Sequence, residues 1–480
     1  MNKQNSTPVI RHDNRLSYPA FPYLPMKNYP ELGTTECDSN NKLYDEIRKL
    51  FYDLNLDIAN FNTTNWNPLK VIIKPKQSVI IKPNWVLHRN PLEDNIDSLI
   101  THSSIIKAVI DYVIIALDYQ GKITVADAPL QMCDFKKMSK LNRIEDLLEL
   151  YKNKYKRIKF TLLDMRKTVL KDADGAFQLK SNQSQQTGDP HGYCLVDLGQ
   201  QSLLTELSDR YRRFRVTCYD HKLLLTHHNL EKHEYLVANS FLTADVIINL
   251  PKMKCHKKAG FTGALKNLIG INGHKEYLPH HINGAPNEGG DQYFKSSRLK
   301  NLYNRWYDRY WSQNDNSSNV NGIMLELLSK SIRSTFRDTN LEGGWHGNQT
   351  IPRTTVDLNN IAYFYNYKTG QLENQPVRKS FHLLDGIIAG EGDGPLRPTA
   401  KNVGVLIAGF NPATVDKAMA TMIGYDTSQN NTLLCALEHE KSLLKTENNN
   451  TVLLNSALTG YNQLDNLKFV KPKFWEAIEI

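Results

Sequence analysis

The chain has 480 residues, 40% hydrophobic and 23% charged, with a formal net charge of +9. Its length exceeds what one hydrophobic core usually supports, and its composition excludes a disordered or membrane-embedded chain. The longest apolar stretch, near Val109 to Leu117, is broken by Asp111 and too short to span a bilayer, so no membrane partner is expected.

The N-terminal MNKQNSTPVIRHDNR holds no apolar run that could serve as a signal peptide, which makes the cytoplasm the expected location. Six scattered cysteines form no CxxC pair, so no disulfide framework and no iron–sulfur cluster in this chain is expected. There is no long Lys/Arg run and no nucleic-acid motif. The positive charge is densest at Lys252, Lys254, Lys257, Lys258 and Lys266, which points to a small anionic substrate instead of nucleic acid.

In chain order, residues 1–66 read as an N-terminal surface extension with a helix near Lys42 to Leu54. The globular pattern begins at VIIKPKQSVIIKPNWV, two apolar β-branched runs ending in Pro83-Asn84-Trp85. A helix over Ser103 to Tyr119 and the strand KITVADAP follow, the order of a crossover unit in a parallel sheet. Further strands are expected at Phe160 to Met165, KLLLT (Lys222 to Thr226), Tyr235 to Ser240 and Asp245 to Lys252, with a polar, loop-rich stretch at 170–215. These complete a first α/β lobe over 67–284.

Residues 285–350 read as a helical and loop insertion, with helices at Leu302 to Trp311 and Gly322 to Phe336. A second α/β segment, 351–425, holds a helix through DLNNIAYFYNY, the strands HLLDGIIAGEGDGP and VGVLIAGFNP, and a helix after Thr414. Residues 426–480 read as a tail packing on the core, with a surface loop at the Asn run near Asn448. The fold expected is α/β and two-lobed, with mostly parallel sheets and helices on both faces.

Ligands of such sheets bind beyond the carboxyl ends of strands. That rule selects Lys82, Asn84 and His88; Asp127 and Gln131; Asn249, Lys252, Lys254 and His256; Asp385, Glu391 and Asp393; and Asn411 with Asp416. The richest segment is His256 to Gly270. Gly260 and Gly263 would let the backbone approach a ligand, and Thr262 would cap a helix near Ala264 whose N-terminus favours an anion. Lys266 and Asn267 would face the same ligand from that helix. His256 and Lys266 are the expected catalytic acid/base groups, with Glu391 as their carboxylate partner. Among the histidines after the segment, His280-His281 would suit nickel or zinc, with one of the two facing the site. The Gly-rich acidic stretch ending at Asp393 suits a hard cation. The histidines His227 and His228, and Arg353 in the block from Trp345, are further candidates.

INLPKMKCHKKAGFTGALKNLIG resembles the signature of the bacterial and archaeal domain-of-unknown-function 362 family. VIIKPNWV, GKITVADAPLQMCDF, WHGNQTIPRTTVDLNNI and LLDGIIAGEGDGP resemble its other blocks. Many members carry an iron–sulfur ferredoxin module, so the resemblance implies a ferredoxin-like protein partner. The block from His256 through Ala259-Gly260 and Thr262-Gly263 to Lys266 is also similar to one in the nickel-pincer lactate racemase family. That similarity implies Lys266 as a cofactor attachment point, His256 as a cofactor contact and His274, His280 or His281 as metal ligand. The racemases' Asp-x-Thr-Arg block has no counterpart here. Together these readings predict an enzyme performing acid/base chemistry on a small anion, with a divalent metal or a lysine-anchored cofactor. A non-catalytic anion-binding protein and a redox partner are the alternatives.

Overall fold

The computed structural model describes residues 7–170, 183–216, 221–312, 318–335, 341–445 and 467–475. Cys218 and the Asn run near Asn448 lie outside the described residues, as does part of the stretch 170–215.

Nine strands form one central sheet: β1 (Val9–His12), β2 (Ser78–Pro83), β3 (Gly121–Asp127), β4 (Ile158–Asp164), β5 (Val246–Leu250), β6 (Lys252–His256), β7 (Gly260–Thr262), β8 (Lys379–Asp393) and β9 (Arg397–Gly409). Their order is β1-β9-β8-β5-β2-β3-β4, with β6 paired to both β7 and β8. Pairing is parallel from β8 through β5, β2 and β3 to β4, and antiparallel at β1–β9 and β8–β9. This is the mixed α/β class with a mostly parallel sheet. Strands from 67–284 and from 351–425 share that sheet.

The two-residue period of a strand sends alternate side chains to opposite faces. On β5, Val246, Ile248 and Leu250 enter one apolar layer and Ile247 enters the other; on β9, Leu406 and Ala408 oppose Val405 and Ile407. The first layer is covered by helices α1 (Lys42–Asp53), α2 (Ser103–Ala116) and α3 (Ile144–Lys154). Across the sheet lie α4 (Ala264–Asn267) and, beyond the insertion helices α5 (Arg298–Ser312) and α6 (Ser318–Thr335), α7 (Thr350–Phe364), α8 (Pro412–Met422) and α9 (Asn431–Leu437). Local chemistry sets these boundaries. Asn411 accepts hydrogen bonds from the backbone N–H groups of Ala413 and Thr414, and Pro412 occupies the first turn of α8, where no donor is needed.

Three expectations are corrected. The described part of the expected surface extension, residues 7–66, is woven into the fold: β1 supplies a sheet edge, and Tyr29, Tyr44, Ile47 and Phe51 are buried in the first layer. The first apolar run of VIIKPKQSVIIKP forms no strand. It follows a 3-10 turn, and Pro75 with left-handed Lys76 reverses the chain before β2. KLLLT is part of a short helix, His221–His227, as the helix preference of leucine over strand allows.

Candidate active site

The floor of the site is built at the carboxyl ends of β2, β3 and β5, which parallel pairing brings to one edge of the sheet. Asp127 ends β3, with Oδ1 2.6 Å from Lys82 Nζ and Oδ2 accepting the Trp85 N–H at 2.7 Å. Lys82 also donates to the Pro83 carbonyl and to Asn267 Oδ1. Asn267 then ties Asn84 and Asn249 into the same network, accepting from Asn84 Nδ2 at 3.0 Å and donating to Asn249 Oδ1 at 2.7 Å. Burial pushes Lys82 down and Asp127 up, each opposed by its attraction to the other. Gly270 seals this floor: a Cβ there would lie 2.3 Å from Asp127 Oδ1 and 2.8 Å from Lys82 Nζ.

Strand period decides the fate of the basic residues on β6. Met253 and Cys255 enter the apolar core, while Lys252, Lys254 and His256 alternate with them. Lys252 Nζ lies 3.1 Å from Asp385 under the ring of Tyr18. Lys254 donates to the Leu99 carbonyl at 2.6 Å. Of the three, His256, the last, lines a cavity.

That cavity has a volume of about 400 Å³. Its lining combines apolar side chains, Val86, Leu130, Met132, Val216, Ile269 and Leu396, with His256, Lys258, Thr262, Lys266, Lys275, His280, Asn84, Asp127, Asn267 and Glu342. Lys266 Nζ has no hydrogen-bond or ion-pair partner among the described residues. Burial, reinforced by repulsion from Lys275 and Lys258, pulls its pKa down to about 7. Lys275 donates to the Ala128 carbonyl at 2.8 Å, and burial, partly offset by Asp127, lowers it to about 8.

His256 and His280 are both held neutral, first by burial and then by neighbouring lysines. Their hydrogen bonds set opposite tautomers. His256 Nδ1 accepts the Lys258 N–H, leaving the proton on Nε2; His280 Nδ1 donates to the Leu278 carbonyl, leaving Nε2 as an acceptor. Three buried polar atoms of cavity-lining residues, Asn84 Oδ1, Trp85 Nε1 and Thr262 Oγ1, have no partner within the described residues. Such atoms ordinarily find a water or ligand partner.

Several expected site residues are not at this cavity. Glu391 is engaged by Lys401 Nζ at 2.8 Å and by the Val470 N–H at 2.9 Å, so it is no partner for His256 and Lys266. Asp393 is at the exposed end of β8. His274 caps the turn at Lys275–Tyr277, and His281 pairs with Arg215 in a two-stranded ribbon; neither lines the cavity. Among the described residues no three His, Cys, Asp or Glu side chains could together hold a metal ion. The metal candidates therefore do not fit, although the Lys266 amine itself is placed where a group could be attached.

Thr262 does not cap α4. Gly263 is the capping residue, and the Asp416 carboxylate accepts from the Ala264 and Leu265 N–H groups, so that helix terminus is already occupied by an anion. Gly263 is required because a Cβ would lie 2.0 Å from Asp416 Oδ1. Gly260, with φ of +85°, packs against Trp475 and is not part of the cavity lining. His227 bonds Glu234, His228 bonds the Tyr277 carbonyl, and Arg353 bonds Glu206. The expected site residues omitted Lys258 and Lys275, and of the two adjacent histidines it is His280 that lines the cavity. The one-face-only argument for adjacent histidines was the available signal; Lys275 had none, since it reaches the cavity from a separate turn.

The model of the family described as domain of unknown function (DUF362) matches residues 167–421, more than half of the chain. The chain belongs to this family. In this domain-of-unknown-function 362 member, the matched span contains β5 to β8, α4, α7 and the lysines and histidines of the cavity. β2 and β3, which supply Lys82 and Asp127, precede it. No curated protein matches the chain in sequence. A Thermotoga maritima protein of known crystal structure is 11% identical, with a TM-score of 0.30; the match covers 73% of this chain and 54% of that one. The chain thus spans about half the length of that relative. No described helix is long and apolar enough to cross a membrane.

Proposed function

We propose that this protein is an enzyme that binds a small anionic substrate in the lysine-lined cavity and moves a proton at a carbon beside the anionic group. Hydroxy acids, sugar acids and phosphorylated metabolites belong to this class. The observation that carries the reading is Lys266: an unpartnered amine in a cavity wall, with a pKa near neutrality and two further lysines beside it. An amine that is partly deprotonated at neutral pH can accept a proton, while Lys258 and Lys275 supply charge for the anion. His256, with a proton on Nε2, and His280, with an accepting Nε2, supply a donor and an acceptor. The carboxylate role first given to Glu391 is not needed, and Asp127 serves to hold Lys82 and the Trp85 backbone.

The test is deuterium wash-in from D2O, followed by NMR over a panel of small hydroxy, sugar and oxo acids. Exchange is expected in at least one acid. It should fall by about a hundredfold or more in Lys266→Met, the scale of a lost general base. The rate should rise with pH through about 7 as Lys266 loses its proton. Binding of these acids without exchange in any of them would favour non-catalytic anion binding.

A further inference from the structure

The proposal above leaves the chemical class of the substrate open, and the cavity narrows it. A base needs only to reach a proton, and an imidazole or carboxylate usually serves. Here the group without a partner is a primary amine, and the two imidazoles beside it are fixed in complementary tautomers. An ordinary lysine at neutral pH is unprotonated in roughly one molecule in a few thousand. Lys266, lowered to about 7, is unprotonated in about half. That fraction, produced by desolvation and neighbouring cations, is what activates a lysine as a nucleophile toward a carbonyl carbon. Lys258, 3.8 Å from Glu342, and Lys275, which donates to the Ala128 carbonyl, bring positive charge to the cavity for a carboxylate, and Thr262 Oγ1 and Trp85 Nε1 are buried polar atoms whose partner would come from a ligand. The lining also holds the apolar side chains of Leu130, Met132, Val216 and Ile269, and about 400 Å³ is more than a two- or three-carbon acid fills.

We infer that Lys266 condenses through Nζ with the carbonyl of an α-keto acid carrying an apolar side chain, and that the resulting imine holds the substrate for proton transfer. This rests on reading the cavity as an anion-binding catalytic site. In the first step the Nζ lone pair forms a bond to the carbonyl carbon. The carbonyl π electrons move to its oxygen, which takes a proton from His256 Nε2. The nitrogen gives up a proton to His280 Nε2. The carbinolamine then expels its hydroxyl as water, with one proton returned from His280, leaving a C=N bond. His280, having returned its proton to the leaving hydroxyl, ends neutral, and His256 regains its proton from solvent. Lys266 amine, ketone and one solvent proton thus become a protonated imine and water with no change of oxidation state. The protonated imine acidifies the C–H at carbon 3, next to the former carbonyl and one carbon beyond the position beside the carboxylate, which makes exchange at that carbon the outward sign of the reaction.

The experiment is reductive trapping of the full-length protein at pH 7 with sodium cyanoborohydride and α-ketoisocaproate, read by intact mass and peptide mapping. Methyl isobutyl ketone, which has the same apolar body and no carboxylate, is the control probe. A single adduct on Lys266 is expected. It should fall at least about tenfold with the ketone, and at least about tenfold in Lys266→Arg, whose guanidinium stays charged. Circular dichroism and melting of Lys266→Arg and Lys266→Met establish that the variants are folded. Deuterium exchange into α-ketoisocaproate is read in the same samples.

No adduct, or adduct spread over Lys258, Lys275 and surface lysines, overturns the imine. If exchange persists in that case, the acid/base reading stands without it; if exchange is absent from the whole acid panel as well, both fall. Equal trapping of the ketone overturns the keto-acid assignment.

Discussion

Lys252 and Lys266 come from one stretch of sequence, both are removed from bulk solvent, and they end in opposite circumstances. Lys252 sits on a strand, its amine 3.1 Å from Asp385, with Tyr18 over it and the His102 N–H donating to the same carboxylate. Lys266 sits on a four-residue helix, with its amine in a cavity beside Lys258 and Lys275. The first is a buried ion pair that locks the N-terminal segment onto the sheet. The second is a strained electrostatic position with no compensating carboxylate of its own. Basic residues at strand ends therefore do not define a site; what surrounds each amine does.

The strongest way to test the contrast is to remove one half of the buried pair. Lys252→Met leaves Asp385 with a charge it cannot share, and a loss of about 3–5 kcal/mol is expected in denaturant unfolding, the range for breaking a buried pair. A loss below about 1 kcal/mol would erase the distinction. Next in size is Asp416→Ala, which strips the acceptor from the Ala264 and Leu265 N–H groups. It should cost about 2 kcal/mol in the same measurement, with the cavity loosened at α4.

Lys266→Met should act in the opposite direction. The unfolded chain keeps the lysine proton up to about 10.5, while the folded chain loses it near 7, so between those values the unfolded state binds more protons and wild-type stability rises with pH. Below 7 the penalty of holding that charge is fully present. Lys266→Met should be more stable there, by on the order of 2 kcal/mol after allowing for the cavity's access to solvent, and the advantage should vanish as pH climbs toward 10.5. An advantage that does not change with pH would mean the amine is not strained. The smallest effect belongs to Lys254→Met. Burial pushes that amine well below its ordinary value and its bond is to the Leu99 carbonyl, so a change within about 1 kcal/mol is expected.

Much of the frame was legible from local pattern. The crossover unit from β2 through α2 to β3, the buried strand β5 and the β8–β9 pair followed by α8 were readable because β-branched runs, helical periodicity and caps such as Asn411 act over a few residues. The family resemblance and the His256–Lys266 segment were readable for the same reason. The pairing of Glu391 with His256 and Lys266 was not: Glu391 lies on the long β8–β9 hairpin, where register with Lys401 and a contact to Val470 claim its carboxylate. The metal grouping failed in the same way, because His274, His281 and Asp393 belong to three separately placed turns and edges.

By itself, the sequence determined which residues could do chemistry and that they would gather at the ends of parallel strands. Tertiary structure alone decided which amines were neutralised by a carboxylate and which was left open. It put Asp385 beside Lys252, Asp127 beside Lys82 and Asp416 at the helix terminus, and among the described residues it gave Lys266 no ion-pair partner. Those choices depend on contacts between residues far apart in the chain, where Coulomb attraction and desolvation act through space and leave no local signature.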